Sequence, residues 1–280
     1  MSALVRRPLV LSPRGWVAAG FLGCFVVFMA ALIAAVVVNS LGTRWLDDWL
    51  PDAFTTHWYG DAWREFGLTS VLLVTVQIAG AVVGLSLLIG VPAAYALARR
   101  DFPGRRLVMF AFLIPLLLPP VTYGIPLATV LLRHDLGGTL TGVILANLVP
   151  SVPFVILTMT PFIEQIDPKI EAAARTLGAG TTTIFLRILG PLLVPGMLAA
   201  GLLVLVRTVG LFELSFFTSG PGTQPLVVVL YYAAFAPGVR ASQSIDATAV
   251  IYMGLMFALL VAALSFVNPT NLVARIRETP

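Results

Sequence analysis

The chain has 280 residues, of which 59% are apolar and only 11% charged, and its mean hydropathy is +0.97. Soluble domains carry about half apolar residues and about a quarter charged ones, so this composition excludes a water-soluble globule. Seventeen Lys and Arg against thirteen Asp and Glu give a net charge of +4, but the basic residues sit in short clusters between long apolar runs, which argues for membrane topology and against a nucleic-acid partner.

Taken in chain order, residues 1–15 carry Arg6, Arg7 and Arg14 and read as a cytoplasmic N-terminal segment. Stretches free of charged residues and histidine then run over Trp16–Val38, Phe66–Ala98, Leu107–Leu132, Leu136–Ile163, Ile188–Val206 and Ala247–Ala274. Crossing ~30 Å of hydrocarbon at 1.5 Å per residue takes roughly 20 apolar residues. The expectation is an all-α polytopic fold, a single membrane domain over 16–274 with six transmembrane helices at about 16–38, 68–98, 107–132, 139–163, 191–213 and 247–268. The first run is longer than the apolar region of a signal peptide and ends without an Ala-x-Ala site, so it reads as a retained helix. Cys24 lies inside it as the single cysteine, which excludes an intrachain disulfide.

Between the first two spans, Trp45, Trp49, Trp58 and Trp63 gather with Tyr59, a pattern that suits an interfacial aromatic belt. Gly80 and Gly84 form a small-xxx-small pair suited to close helix packing, and Pro92, Pro115, Pro119, Pro120, Pro126, Pro150, Pro153 and Pro161 predict kinks in the second to fourth spans. A seventh uncharged stretch, Leu214–Val239, is broken by Ser219-Gly220-Pro221-Gly222 and by Pro237-Gly238. Its apolar centre, Leu226–Ala236, is too short to cross and predicts a short or re-entrant helix in an outer loop.

If six helices alternate, Arg6, Arg7, Arg14, Arg99, Arg100, Arg105, Arg106, Lys169, Arg175, Arg187, Arg275 and Arg277 share one side. The other side holds Arg44, Arg64, Arg133 and Arg240 against Asp47, Asp48, Asp52, Asp61, Glu65, Asp135 and Asp246. The positive-inside rule then makes both termini cytoplasmic.

Enzymatic chemistry finds little to build on. Both histidines, His57 and His134, fall in outer loops, and the only lysine, Lys169, is not preceded by the glycines of a phosphate-binding P-loop. The chain therefore reads as non-catalytic, with no nucleotide, cofactor or metal of its own. Arg207 and Glu213 are charges at or near the outer end of the fifth span. Such residues line a wet path or snorkel to the interface, and both readings stay open; Tyr123 joins them as a candidate for the substrate pathway. On one ideal helix Arg207 and Glu213 would stand about 120° and ~9 Å apart, unable to pair unless Gly210 bends the helix.

The loop 164–190 between the fourth and fifth spans is the most patterned segment. Asp167 suits an N-cap, Pro168 the first helical position, Glu171–Leu177 a helix and Gly178 its stop. A second short amphipathic helix over Thr181–Leu189 would align Ile184, Phe185 and Ile188.

The run Glu171-Ala172-Ala173-Ala174-Arg175-Thr176-Leu177-Gly178-Ala179, followed by Pro191 and Pro195, resembles the EAA loop of permease subunits of binding-protein-dependent ABC importers. Ile89–Arg106 and Ile114-Pro-Leu-Leu-Leu-Pro-Pro120 resemble the same family's second span end, inner turn and third span, and the likeness covers roughly Leu68–Phe266. One departure stands out: counted from Gly178, the motif's glutamate falls on Ala172, and Glu171 sits one position, or 100° of helix, earlier. The resemblance implies short coupling helices seated on cytoplasmic ATPase subunits, with Glu171, Ala172, Ala173, Arg175, Gly178 and Ala179 as coupling residues. It further implies two ATP-binding partners that hold ATP and Mg, a second permease that is a paralogue, an extracytoplasmic binding protein, and a place in a bacterial cytoplasmic membrane among lipid. Around Thr208–Gly220 the sequence looks most like the polyamine branch, so the expected cargo is a polyamine-like cation; iron(III), phosphonate, sulfate or a sugar are the alternatives. An ion-coupled carrier or a channel is the reading from another class.

Overall fold

The computed structural model describes residues 13–45, 50–236 and 240–265. Arg6, Arg7, Asp47, Asp48, Trp49, Pro237, Gly238, Arg275 and Arg277, on which parts of the topology reading rest, lie outside the described residues. The helices are α1 (Pro13–Leu41), α2 (His57–Glu65), α3 (Leu68–Arg99), α4 (Arg105–Leu117), α5 (Pro120–Arg133), α6 (Leu140–Glu164), α7 (Pro168–Thr176), α8 (Thr181–Gly210), α9 (Phe212–Thr218), α10 (Leu226–Phe235) and α11 (Ser242–Ser265). Among the described residues β-structure is limited to two isolated bridges. Among the described residues five helices are long and apolar enough to cross a membrane, and the bent pair α4–α5 makes six if it is counted as one broken span and not a re-entrant loop.

Two compact units emerge, one from residues up to 62 with those up to 250 in α11, the other from 63 onward with the rest of α11. In the first unit, the apolar window of α1 has no buried residue, as befits a helix whose surroundings are apolar. Its C-terminal turn is tied by polar side chains: the Asn39 amide donates to Asp246 (2.6 Å), and the Trp45 indole donates to the Asn39 oxygen (2.7 Å). The Trp58 indole donates to the Gly42 carbonyl (2.7 Å), so Trp45 and Trp58 spend their N–H groups on holding this loop together.

In the second unit α3, α6 and α8 enclose the core. Ile78, Val82 and Val91 of α3 pack with Val155, Ile156 and Met159 of α6 and Leu193 and Val204 of α8. At 32 residues α3 is roughly 48 Å long, well beyond ~30 Å of hydrocarbon, so it overshoots the bilayer core or tilts within it. Close approach of α3 and α6 falls at Gly90, where an added Cβ would meet the Val155 side chain at 2.6 Å. The sequence-based pair Gly80 and Gly84 instead has nothing within 4 Å among the described residues, so the close helix approach falls at Gly90 and not at that stripe.

The uncharged run 107–132, expected as one span, is two helices that meet at 96°. Leu118 and Pro119 each precede a proline, whose ring disfavours the α conformation of the residue before it; both are extended, with ψ of 138° and 132°. Each half is 13 or 14 residues, about 20 Å, so neither crosses a bilayer alone. By contrast α6 stays continuous through Pro150, Pro153 and Pro161.

Two further expectations change. The segment 181–189 is not a separate amphipathic helix: it turns through a π-helical stretch, Ile184–Leu189, and runs directly into α8, with Ile184 and Leu189 buried. The fifth span ends at Gly210, not 213, because Leu211 is extended (φ −80°, ψ 98°) and α9 starts afresh at Phe212. The stretch 226–235 is a ten-residue helix that docks on α3, its first amide donating to the buried Thr75 hydroxyl (2.9 Å).

Candidate functional site

The segment between α6 and α8 is built by local signals that its sequence spells out. The Asp167 carboxylate accepts the Lys169 amide (2.9 Å) and caps α7, and Pro168 occupies the first turn, where its missing N–H costs nothing. At the other end Gly178 adopts φ +85°, and the Gly178 and Ala179 amides donate to Arg175 and Ala174. A Cβ on Gly178 would touch nothing, so only the left-handed backbone reserves the position for glycine.

The coupling candidates divide by face. Ala172, Ala173, Arg175 and Gly178 are exposed, Ala179 is half-buried, and Glu171 is buried at 4% exposure. One residue of helix turns Glu171 away from that surface and onto α3. There the Arg99 Nε donates to Glu171 Oε1 (2.7 Å) and the Tyr95 hydroxyl donates to Oε2 (2.7 Å). Arg99 also donates to the Ile166 carbonyl (2.7 Å), and Arg175 lies 3.7 Å from Glu171. Tyr95 stands edge-on to Phe185 of the π-helical stretch, 5.5 Å between ring centroids. Glu171 thus ties α7 to α3. A parallel tie joins Arg105 at the start of α4 to Glu164 at the end of α6 (2.8 Å), so two of the four arginines in the cluster 99–106 serve internal ion pairs.

Sequence reasoning passed over Leu177. It closes α7 with 88% of its surface exposed, beside exposed Ile170, next to the left-handed glycine. An apolar residue directly before the glycine stop was the available signal, and reading Glu171–Leu177 simply as a helix left it unused.

At the second candidate locus, Arg207 and Glu213 stand on different helices, since the chain breaks at Leu211, and among the described residues no ion pair joins them. The Arg207 guanidinium lies over the Phe154 ring, 5.7 Å from its centroid. Tyr123 is within electrostatic reach of both charges. Its hydroxyl and that of Thr208 are buried with no hydrogen-bond partner among the described residues. The three pathway candidates therefore fall within one electrostatic neighbourhood.

Helices long and apolar enough to cross a membrane make up most of the described chain, the architecture of a polytopic membrane protein. The chain belongs to the family of binding-protein-dependent transport system inner membrane components, whose profile matches residues 86–276. It is similar to the molybdenum transport system permease protein ModB of Escherichia coli K12, 31% identical over 183 residues that cover 60% of this chain and 80% of that one. A probable sulfate transport system permease protein of Nephroselmis olivacea is 31% identical over 65% of this chain and 68% of its own length. The trehalose transport system permease protein SugB of Mycobacterium tuberculosis is 30% identical over 56% and 57%. Among solved structures, a bacterial ABC transporter involved in import of the acidic polysaccharide alginate shares the fold with a TM-score of 0.75 at 21% identity, covering 90% of this chain and 94% of that one. The MetNI methionine ABC transporter does so with a TM-score of 0.57 at 20% identity, over 72% and 95%. The protein is accordingly a multi-pass permease subunit of the inner membrane. The relatives named here carry molybdenum, sulfate and trehalose in their names, which leaves the expected polyamine cargo without support.

Proposed function

We propose that this chain forms half of the translocation path of an ATP-driven importer for a tetrahedral oxyanion of the molybdate or sulfate kind. In this reading a binding protein delivers the anion on the outer side, a second permease completes the path, and two ATPase subunits, which bind ATP and Mg, seat on α7 from the cytoplasm. The termini and the α7 end face the cytoplasm, residues 1–15 precede the membrane domain, and 164–190 is the coupling loop. ATPase closure rocks the helix layer between inward- and outward-facing states.

The observation that carries the reading is the surface of α7. A nine-residue helix, capped at both ends and fastened at its back, presents Ala172, Ala173 and Leu177 outward with no protein over them. Small side chains allow a groove to close on the helix, and an exposed leucine supplies the apolar anchor such a contact needs. For the cargo, the names of two relatives agree with Arg207, a guanidinium at the end of a span that lies over the Phe154 ring. Guanidinium donors match oxyanions in charge and geometry. A sugar is the second reading, favoured by the ring cluster Phe212, Phe216, Tyr231, Tyr232 and Phe235, whose centroids lie 4.8–5.8 Å apart.

The test is uptake by the complete transporter in proteoliposomes. ATP-dependent accumulation of molybdate or sulfate is the expected result, with Arg207→Gln raising KM about tenfold while ATP hydrolysis persists. Accumulation of spermidine with no oxyanion uptake would overturn the cargo. Uptake driven by a proton gradient in the absence of ATPase subunits would overturn the importer itself.

A further inference from the structure

We propose that Tyr95, Arg99 and Glu171 form a clasp that makes α7 part of α3 and α8, so that force applied at α7 moves the spans instead of bending the loop. The inference rests on the reading of α7 as the seat of the ATPase, and names the residues that transmit the push.

The linkers around α7 are short but contain no helix: 165–167 before it and 177–180 after it. Covalent connection alone would leave α7 free to pivot about these two joints. Three hydrogen bonds remove that freedom. Both carboxylate oxygens of Glu171 are taken, one by the Arg99 guanidinium and one by the Tyr95 hydroxyl, each at 2.7 Å. The guanidinium then reaches the Ile166 carbonyl in the linker itself (2.7 Å), so the joint is braced as well as the helix. The side chains of Arg99 and Glu171 are 11% and 5% exposed, and a pair withdrawn from water holds its geometry far more tightly than a surface pair.

The third connection runs to α8. Tyr95 uses its oxygen on Glu171 and its ring on Phe185, inside the π-helical stretch Ile184–Leu189. π-Helical turns are found mostly at functional sites and break the regular ladder of the helix. The one place where α8 departs from α-helical geometry is therefore the place where the clasp grips it. Tyr95, Arg99 and Glu171 would be positioning residues: none is at the exposed face of α7, and each acts through that helix.

The departure from the EAA pattern fits this division. The position that the motif gives to glutamate holds Ala172 on the exposed face, and the chain's acid is one residue back, where it meets α3.

The experiment uses the complete transporter with its ATPase subunits and binding protein, carrying Tyr95→Phe, Glu171→Gln or Arg99→Gln. Three quantities are read: ATPase retained on the purified chain, basal ATP hydrolysis, and solute accumulated per ATP hydrolysed. Expected are wild-type retention, basal hydrolysis within about twofold, and solute per ATP reduced about fivefold in Glu171→Gln, less in Tyr95→Phe and more in Arg99→Gln. A spin-label pair at Ala172 on α7 and Leu88 on α3 should show a broadened distance distribution in Glu171→Gln and a narrow one in the unaltered protein. Tyr95→Phe keeps the ring, the ion pair and the linker brace, so it stays informative if the other two destabilise the chain. Wild-type solute per ATP in all three overturns the clasp. Loss of ATPase retention with an unchanged melting temperature also overturns it, because the residues would then shape the seat and not transmit from it. If the unaltered protein retains no ATPase, the reading of α7 fails, and that result is distinct from failure of the clasp.

Discussion

At Gly178 the backbone, not space, decides what the position tolerates. The added Cβ would meet nothing, yet φ is +85°, a region that costs an L-residue roughly 1–2 kcal/mol and a β-branched one more. Gly178→Asn should therefore leave transport largely intact, while Gly178→Val should abolish solute uptake and leave the chain inserted in the membrane. Uptake at the wild-type level in Gly178→Val would remove the turn from the coupling account. Leu177 is the complementary case, where exposure decides. Leu177→Asp should lower ATPase retention by roughly tenfold, the equivalent of a one- to two-kcal/mol contact at an interface centre, with no change in melting temperature. Glu171 shows where the two kinds of argument part. Its place in the first turn of α7 was legible from Asp167, Pro168 and Gly178; its direction was not, because Arg99 and Tyr95 are more than seventy residues away in sequence.

Among elements, the break between α4 and α5 and the contact between α3 and α6 make separate predictions. Two consecutive prolines bias both Leu118 and Pro119 away from the helix, which gives the 96° bend a cause in the local chain. Replacing Pro119 and Pro120 together by alanine removes both restrictions. The distance between spin labels at Arg106 and Arg133 should then lengthen as the two helices straighten, and an unchanged distance would show that packing of α9 on α5 holds the bend. At Gly90 the restriction is tertiary. Gly90→Ala places a carbon 2.6 Å from the Val155 side chain and should cost about 1–3 kcal/mol, seen as a lower melting temperature in detergent. Val155→Ala in the same chain should restore most of the loss, since the two residues share one contact. Neither outcome could be reached from the glycine spacing alone: the visible pair, Gly80 and Gly84, meets nothing among the described residues.

For the molecule as a whole, sequence by itself located five of the apolar helices long enough for a bilayer, the short helix α7 and its two ends, and the absence of room for α10 to cross, but not the break within 107–132. These follow from hydropathy summed along a run and from capping and glycine chemistry, which act over a few residues. Tertiary structure alone decided that Glu171 closes on α3, that Arg207 and Glu213 belong to separate helices with Tyr123 between their fields, that 181–189 is the root of α8, and that the rings of α9 and α10 meet. Each of these depends on which side of a helix meets which neighbour. One residue of offset is 100° of rotation, and a single extended residue such as Leu211 redirects everything after it, so the outcome is fixed by packing between distant parts of the chain and leaves no periodic trace in the sequence.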